Sequence, residues 1–230
     1  FRRVLFRSGQ LQRVMGPMKY ETIYFDLDGT LTDSAPGITN SLMYALECMG
    51  RPVPPRSQLY RYVGPPLWDS FRRYEGMTQA EAQEAVGFFR SYYERAGKFE
   101  NAVYPGIPAL LEGLRARGKR LAVATSKPEP QAVEILQHFG LANCFSCIAG
   151  STLDESRCTK ASVLAYALAQ QGRRGAVMVG DREHDVLGAR ENGLPCIGVL
   201  FGYGSRQELE AAGADRIAPT VDDLKTMLEE

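Results

Sequence analysis

The sequence carries no net charge. Its 27 Lys and Arg balance 27 Asp and Glu, so no summed field draws the chain to nucleic acid or to an acidic membrane surface. No apolar run approaches the roughly 18 residues that a membrane span needs. Cysteine is sparse and odd in number (Cys48, Cys144, Cys147, Cys158 and Cys196), which excludes a disulfide framework and fits reduced thiols in a cytoplasm. Cys144-Phe-Ser-Cys147 is formally C-x-x-C, but no second pair stands at zinc spacing. Beside Phe145 and Ile148 these two read as core thiols. Internal repeats and low-complexity segments are missing as well. The basic start, Phe1-Arg2-Arg3-Val4-Leu5-Phe6-Arg7-Ser8, lacks a signal-peptide apolar region. Residues 1–17 are expected to be a non-native, frayed tail resembling translated adapter sequence, with Met18 as the natural start; a genuine basic arm is the alternative.

What the chain does have is organised around Tyr20 to Leu31. The β-rich run Thr22-Ile23-Tyr24-Phe25 stops at Asp26-Leu27-Asp28-Gly29-Thr30-Leu31. An apolar run ended by a turn is how a buried parallel strand finishes, and α/β sheets place their chemistry at that carboxyl end. Residues i and i+2 of an extended segment share a face, so Asp26 and Asp28 can flank one reacting group. Gly29 lets the backbone turn closely around it. Two carboxylates so near repel unless a cation or a shared proton intervenes, so the pair asks for a metal. A strand end with solvated Asp residues is the plainer alternative.

From 34 to 102 the pattern is helical. Ile38, Leu42, Ala45, Leu46 and Met49 recur at helical spacing. Ser57 is a candidate cap for a short helix, Leu67 to Tyr74 reads as another, and Thr78-x-x-Glu81 is a capping box for a long one. Trp68, Phe71, Phe88 and Phe89 are expected to pack this insert. From Tyr104 strands alternate with helices: strands at 120–124, 147–149, 176–179, 196–199 and 216–218, helices at 107–117, 130–139, 160–171, 186–192 and 221–228. That alternation predicts right-handed crossovers and a parallel sheet covered on both faces. The fold class is therefore α/β, a Rossmann-like doubly wound parallel sheet core (18–33 and 103–230) with an inserted α-helical cap domain (34–102). Thr32-Asp33-Ser34 and Ala102-Val103-Tyr104 must lie together and form a two-strand hinge beneath a lid.

Each later strand end adds a polar feature. Thr125 and Ser126 offer hydroxyls and amides suited to phosphate oxygens, or an ordinary N-cap before Pro128. Lys160 starts a helix against the dipole, which makes sense if it faces carboxylates and phosphate; a solvated lysine is the alternative, and Arg157 could fill the same role. Asp181 stands at a strand tip and Asp185 one helical turn on. Four carboxylates together suit octahedral Mg²⁺. His184 between them reads as a solvated helix residue.

D-x-D-G-T, Thr-Ser, a helix-starting Lys and G-D-x-x-x-D, in that order, resemble the four motifs of the haloacid dehalogenase-like superfamily over roughly residues 19–229. The insert resembles that superfamily's C1 cap. Thr32-Asp33-Ser34 and Gly202-Tyr203-Gly204 are similar to the phosphoglycolate phosphatase-like branch. The resemblance implies a Mg²⁺-dependent phosphatase of a small phosphomonoester, phosphoglycolate-like or a nucleoside 5′-monophosphate. It implies Asp26 as nucleophile and Asp28 as general acid, then base. Thr125 would hold the phosphoryl oxygens beside Gly29, Thr30 and Ser126, and Lys160 would neutralise charge. Asp26, the Asp28 carbonyl, Asp181 and Asp185 would serve the metal. The motif around Lys160 departs from the pattern in lacking the following Pro. Arg61, beside the Gly64-Pro65-Pro66-Leu67 turn, is a candidate leaving-group contact in the cap, or a solvated residue of a structural turn. The expected partner is a small phosphorylated metabolite, with no nucleic acid and no membrane, on a cytoplasmic monomer or homodimer. Rival readings are a sugar-phosphate phosphomutase and a non-catalytic phospho-accepting receiver-like module.

Overall fold

Thr22–Phe25 forms β1, whose four residues are all buried. β-Branched and aromatic side chains fill both faces, as a central parallel strand requires. β1 pairs in parallel with β4 (Arg120–Pro128) on one side and β6 (Ala176–Gly180) on the other. β5 (Cys147–Ser151), β7 (Cys196–Val199) and β8 (Arg216–Ala218) complete a sheet of order β5-β4-β1-β6-β7-β8, all parallel. The chain winds outward from β1 in one direction and then in the other, so the carboxyl end of β1 is the switch point. The computed structural model describes residues 20–230 except 66, 153 and 155. The expected tail at 1–17 and Pro66 of the cap turn lie outside the described residues.

The two-residue period of the strands divides the core in two. Ile23, Phe25 and Val123 pack under Leu110 and Leu114 of α5 (Ile107–Ala116), Ile135 of α6 (Glu129–His138) and Leu224 of α10 (Val221–Glu229). Tyr24, Ala122 and Met178 face Val163 and Leu164 of α7 (Lys160–Gln171) and Val186 of α8 (Glu183–Glu191). A third cluster lies wholly between β2 (Thr32–Asp33) and β3 (Ala102–Val103), which pair antiparallel where two adjacent hinge strands are expected. Its helices are α1 (Ala35–Cys48), α2 (Arg56–Leu59), α3 (Leu67–Glu75) and α4 (Gln79–Arg95).

Several local expectations change. Trp68 is 45% exposed, with the Arg72 guanidinium over its ring, while Phe71 and Phe89 fill the cap interior. The cause is helical phase: the inward stripe of α3 is Leu67, Ser70, Phe71 and Tyr74, and Trp68 lies on its flank. Ser57 does not cap; α2 begins directly after Pro55, whose φ of −53° sets the entry. β4 continues past 124, and α8 starts at Glu183 because the Asp185 carboxylate accepts the Arg182 N–H at 3.1 Å. Cys144 and Cys147 are half-buried and pack against the two core clusters from their margins, and all five cysteines are free. Helix α9 (Arg206–Ala212) was not anticipated, although Ser205, accepting the Glu208 N–H at 3.1 Å, is a readable N-cap signal. Among the described residues no helix is long and apolar enough to cross a membrane.

The Thr78–Glu81 box is present in both directions. Thr78→Ala should lower cap stability by about 1 kcal/mol, read as a shifted urea midpoint; an unchanged midpoint would show that α4 is held by packing alone.

Candidate active site

Strand ends at one edge of the sheet bring the site together. The Asp26 N–H donates to the Val179 carbonyl at 2.9 Å, so sheet pairing carries one residue past β1. The chain then turns sharply: the N–H groups of Leu31 and Thr32 both reach the Leu27 carbonyl, at 2.9 and 3.0 Å. Gly29 makes this turn at φ +80°, and a Cβ there would lie 2.2 Å from Asp181 Oδ2. Only glycine fits that approach.

Lys160 is the hub of the buried charges. Its Nζ lies 2.7 Å from Asp26 Oδ1 and 2.8 Å from Asp185 Oδ1, and donates to the Ala124 carbonyl at 3.1 Å. Asp26 Oδ1 also accepts the Leu27 N–H at 2.8 Å. Asp181 Oδ2 accepts the Tyr203 N–H at 2.7 Å, while Asp181 Oδ1 is buried without a hydrogen-bond partner. Carboxylate oxygens of Asp26, Asp181 and Asp185 all lie within 4.8 Å of one another. Asp28 turns the other way, with Oδ2 3.1 Å from Lys127 Nζ.

Four carboxylates thus face two ammonium groups in a largely buried space, leaving two negative charges uncompensated. The orphaned Asp181 oxygen and this charge deficit fit a hard divalent cation held by Asp26, Asp181 and Asp185. The Asp28 side chain is committed to Lys127, so a share for Asp28 in ion binding falls to its backbone carbonyl.

The electrostatics agree. Burial, then the charges of Asp185 and Asp26, pushes the Asp181 carboxyl well above the usual carboxylate range. Burial also pushes Asp185 up, with Lys160 opposing and Asp26 adding. Burial pulls Lys160 down, but Asp185 and then Asp26 hold it above an ordinary lysine. A carboxyl whose folded pKa is raised contributes most below its unfolded value, about 3.9. That contribution is lost as pH rises through the folded value. The ion-free protein should therefore lose melting temperature as pH rises above about 4, and Mg²⁺ should restore more of it at a high pH than at a low one. Equal Mg²⁺ shifts at both pH values would contradict the pairing of these carboxylates with an ion.

The remaining candidates are placed as follows. Thr125 is buried within β4 and its hydroxyl accepts the Lys127 N–H at 3.3 Å; Ser126 beside it is half-buried. Thr30 is buried with its hydroxyl unpartnered. His184 is exposed. Arg157 is not at the cluster: it binds Glu129 at 2.6 Å and the Gly150 carbonyl at 2.8 Å, beside the Tyr166 ring. Arg61 is not brought there either. It lies 4.2 Å over the Tyr74 ring and 3.6 Å from Glu75, bracing the cap from within.

Sequence reasoning missed two residues. Lys127 follows Thr125 by two positions in an extended segment, and that spacing alone puts both on one face. Tyr203 bridges two parts of the site: its N–H holds Asp181, and its hydroxyl donates to Asp33 Oδ1 at 2.8 Å and accepts the Ala35 N–H at 2.9 Å. Gly202 precedes it, where a Cβ would stand 2.2 Å from the Gly29 carbonyl and 2.5 Å from Asp181 Oδ2. Gly202→Ala should weaken Mg²⁺ binding about 10-fold or more by displacing Asp181, read by calorimetry; unchanged affinity would show that the loop yields.

The family model described as haloacid dehalogenase-like hydrolase matches residues 23–199. The chain belongs to that family. It is 42% identical over 214 residues to a 5′-nucleotidase of Pseudomonas aeruginosa, covering 92% of this chain and 97% of that one. It is 43% identical to the tyrosine-protein kinase PtkA of Mycobacterium tuberculosis, covering 90% of this chain and 72% of that one. A phosphoglycolate phosphatase of Cupriavidus necator is 32% identical, covering 90% and 92%. Among solved structures, a predicted phosphatase from Clostridium acetobutylicum superposes with a TM-score of 0.86 at 47% identity, covering 90% and 97%. These likenesses place the chain among the phosphoric monoester hydrolases of the family.

Proposed function

We propose that the protein is a Mg²⁺-dependent phosphatase that hydrolyses a small phosphomonoester through a phosphorylated Asp26, with nucleoside 5′-monophosphates the first substrate class and phosphoglycolate the second. The observation that carries this is the buried cluster of Asp26, Asp181 and Asp185 around Lys160, at the carboxyl end of β1 and beside the hinge of a helical cap. The near full-length likeness to a 5′-nucleotidase supports the first substrate class.

A carboxylate attacks a phosphate dianion poorly because both are negative. Bound Mg²⁺ would supply charge neutralisation at the transferring oxygens. Lys160 fixes Asp26 by one oxygen, Oδ1, which also receives the Leu27 N–H, so the other oxygen is left to attack phosphorus. The Thr125 hydroxyl would meet the phosphoryl oxygens, whereas the amides of Gly29 and Thr30 are spent inside the turn on the Thr32 and Leu27 carbonyls. Asp28 gives its proton to the leaving oxygen as the phosphorus–oxygen bond breaks. It then takes a proton from the water that displaces Asp26. Splitting the displacement in two lowers each barrier.

Steady-state phosphate release across nucleoside monophosphates, phosphoglycolate and sugar phosphates tests the reading. One class should exceed the others in kcat/KM by about 10-fold or more. Equal rates for all would remove a dedicated substrate, and substrate loss without phosphate release would point to a mutase. The likeness to PtkA calls for one control. With ATP and a tyrosine-containing peptide the expected product is inorganic phosphate; phosphotyrosine would overturn the hydrolase assignment.

A further inference from the structure

We infer that Lys127 and the cap residue Tyr93 form a positioning pair that holds Asp28 for proton transfer only when the cap is closed. The inference rests on Asp28 being the acid and base proposed above. Lys127, on β4 of the core, is buried and donates to Tyr93 Oη on α4 of the cap at 2.5 Å. Its Nζ also lies 4.7 Å from the centre of that ring and 3.1 Å from Asp28 Oδ2. One ammonium therefore touches the core acid and the cap at once.

The two oxygens of Asp28 are distinguished by this contact. Oδ2 is tied to Lys127, whereas Oδ1 is buried and has no hydrogen-bond partner. Oδ2 can accept from the ammonium whether or not the carboxyl carries a proton, so the mobile proton belongs on Oδ1. In the first half-reaction the Oδ1–H bond breaks, the leaving oxygen gains that proton, and the phosphorus–oxygen electron pair goes to the same oxygen. In the second half the water proton passes to Oδ1 as the Asp26–phosphorus bond breaks.

Tyr203 links Ala35 of the cap to Asp181, and three further polar cap–core contacts do not reach Asp28. Lys98 meets Glu134 at 2.5 Å and Gln131 meets Glu94 at 2.5 Å, with partners that are half-exposed and so screened by water. The Arg182 guanidinium donates to the Val63 carbonyl at 2.5 Å and to Glu208 at 2.8 Å; it is the backbone N–H of Arg182, not its side chain, that meets Asp185. The Tyr93–Lys127 contact reaches the chemistry directly. Tyr93 is itself held by stacking on Phe89, with ring centres 5.5 Å apart. Cap closure delivers the hydroxyl that fixes the ammonium. An open cap leaves Lys127 one partner fewer and Asp28 free to turn.

The dependence on the leaving group tests this. kcat/KM reports the steps up to departure of the alcohol. An alkyl leaving oxygen needs the proton, whereas p-nitrophenolate leaves without it. Asp28→Asn, Lys127→Met and Tyr93→Phe are compared on an alkyl phosphate and on p-nitrophenyl phosphate. Lys127→Met should lose about 10–100-fold on the alkyl ester and less than about 3-fold on the aryl ester, and Lys127→Arg should recover part of the loss. Tyr93→Phe, which keeps the ring, should shift in the same sense by about 3–10-fold. Should Lys127→Met not fold, Tyr93→Phe carries the same test. If Asp28→Asn is selective for the alkyl ester while Lys127→Met loses equally on both, the positioning role is overturned and the Asp28 assignment stands. If Asp28→Asn loses equally on both, the Asp28 assignment fails first and this inference with it. A wild-type Tyr93→Phe would remove the cap from the pair.

Discussion

Asp26→Asn should reduce phosphate release by about 10³-fold or more while leaving the fold intact. The amide keeps the size of the carboxylate and can still accept the Leu27 N–H, now at 2.8 Å from Asp26 Oδ1. It has no anionic oxygen to attack phosphorus. The loss should appear in kcat and kcat/KM alike, because the covalent step is missing and not merely the binding of substrate. Circular dichroism and melting temperature should stay near the parental values, since removing one of four crowded carboxylates relieves repulsion as much as it costs the Lys160 pair. A variant that retained more than about a tenth of the parental rate would show that water attacks phosphorus directly.

Lys160→Met should produce the largest loss of stability. The lysine side chain is 4% exposed and joins β1, β4 and α8 through Asp26, the Ala124 carbonyl and Asp185. Methionine fills the volume but leaves two buried carboxylates without their cation. Breaking a buried pair in this way costs about 3–5 kcal/mol. Urea unfolding should register that loss, and saturating Mg²⁺ should recover part of it by binding the folded state alone. Activity should fall with it, by about 10²–10³-fold, and should not return with Mg²⁺. A loss under about 1 kcal/mol would mean that the carboxylates take up protons in place of the lysine, and that Lys160 is not structurally required.

Much of this molecule is legible in its sequence because its strands are short, apolar and each ended by a polar signal. β1, β7, β8 and the bounds of α7 follow from runs and breakers alone. The carboxylates are legible for the same reason: Asp26, Asp28 and Asp181 each sit where a buried strand stops. The cap is less so. Trp68 reads as core by composition, yet the phase of α3 turns it to solvent. Arg61 reads as a substrate contact by charge, yet Glu75 and Tyr74 take it into the cap's own framework. Lys127 depends on a partner, Tyr93, that lies 34 residues away and in another layer. Tyr203 shows the same limit, because its backbone N–H and its hydroxyl serve different neighbours, and no periodicity encodes that. Helix α9 was missed for a simpler reason: it is short, and Ser205 with Glu208 is its main local signal.

The most direct measurement of the central claim is to find the phosphoryl group on the protein. Asp28→Asn, which still presents Asp26 but activates water poorly, is mixed with p-nitrophenyl phosphate and Mg²⁺, quenched in acid and digested. The expected result is a burst of p-nitrophenol matched by label on the peptide carrying Asp26, with no label in the Asp26→Asn variant. Label on another residue, or turnover with no labelled protein at any time point, would contradict it.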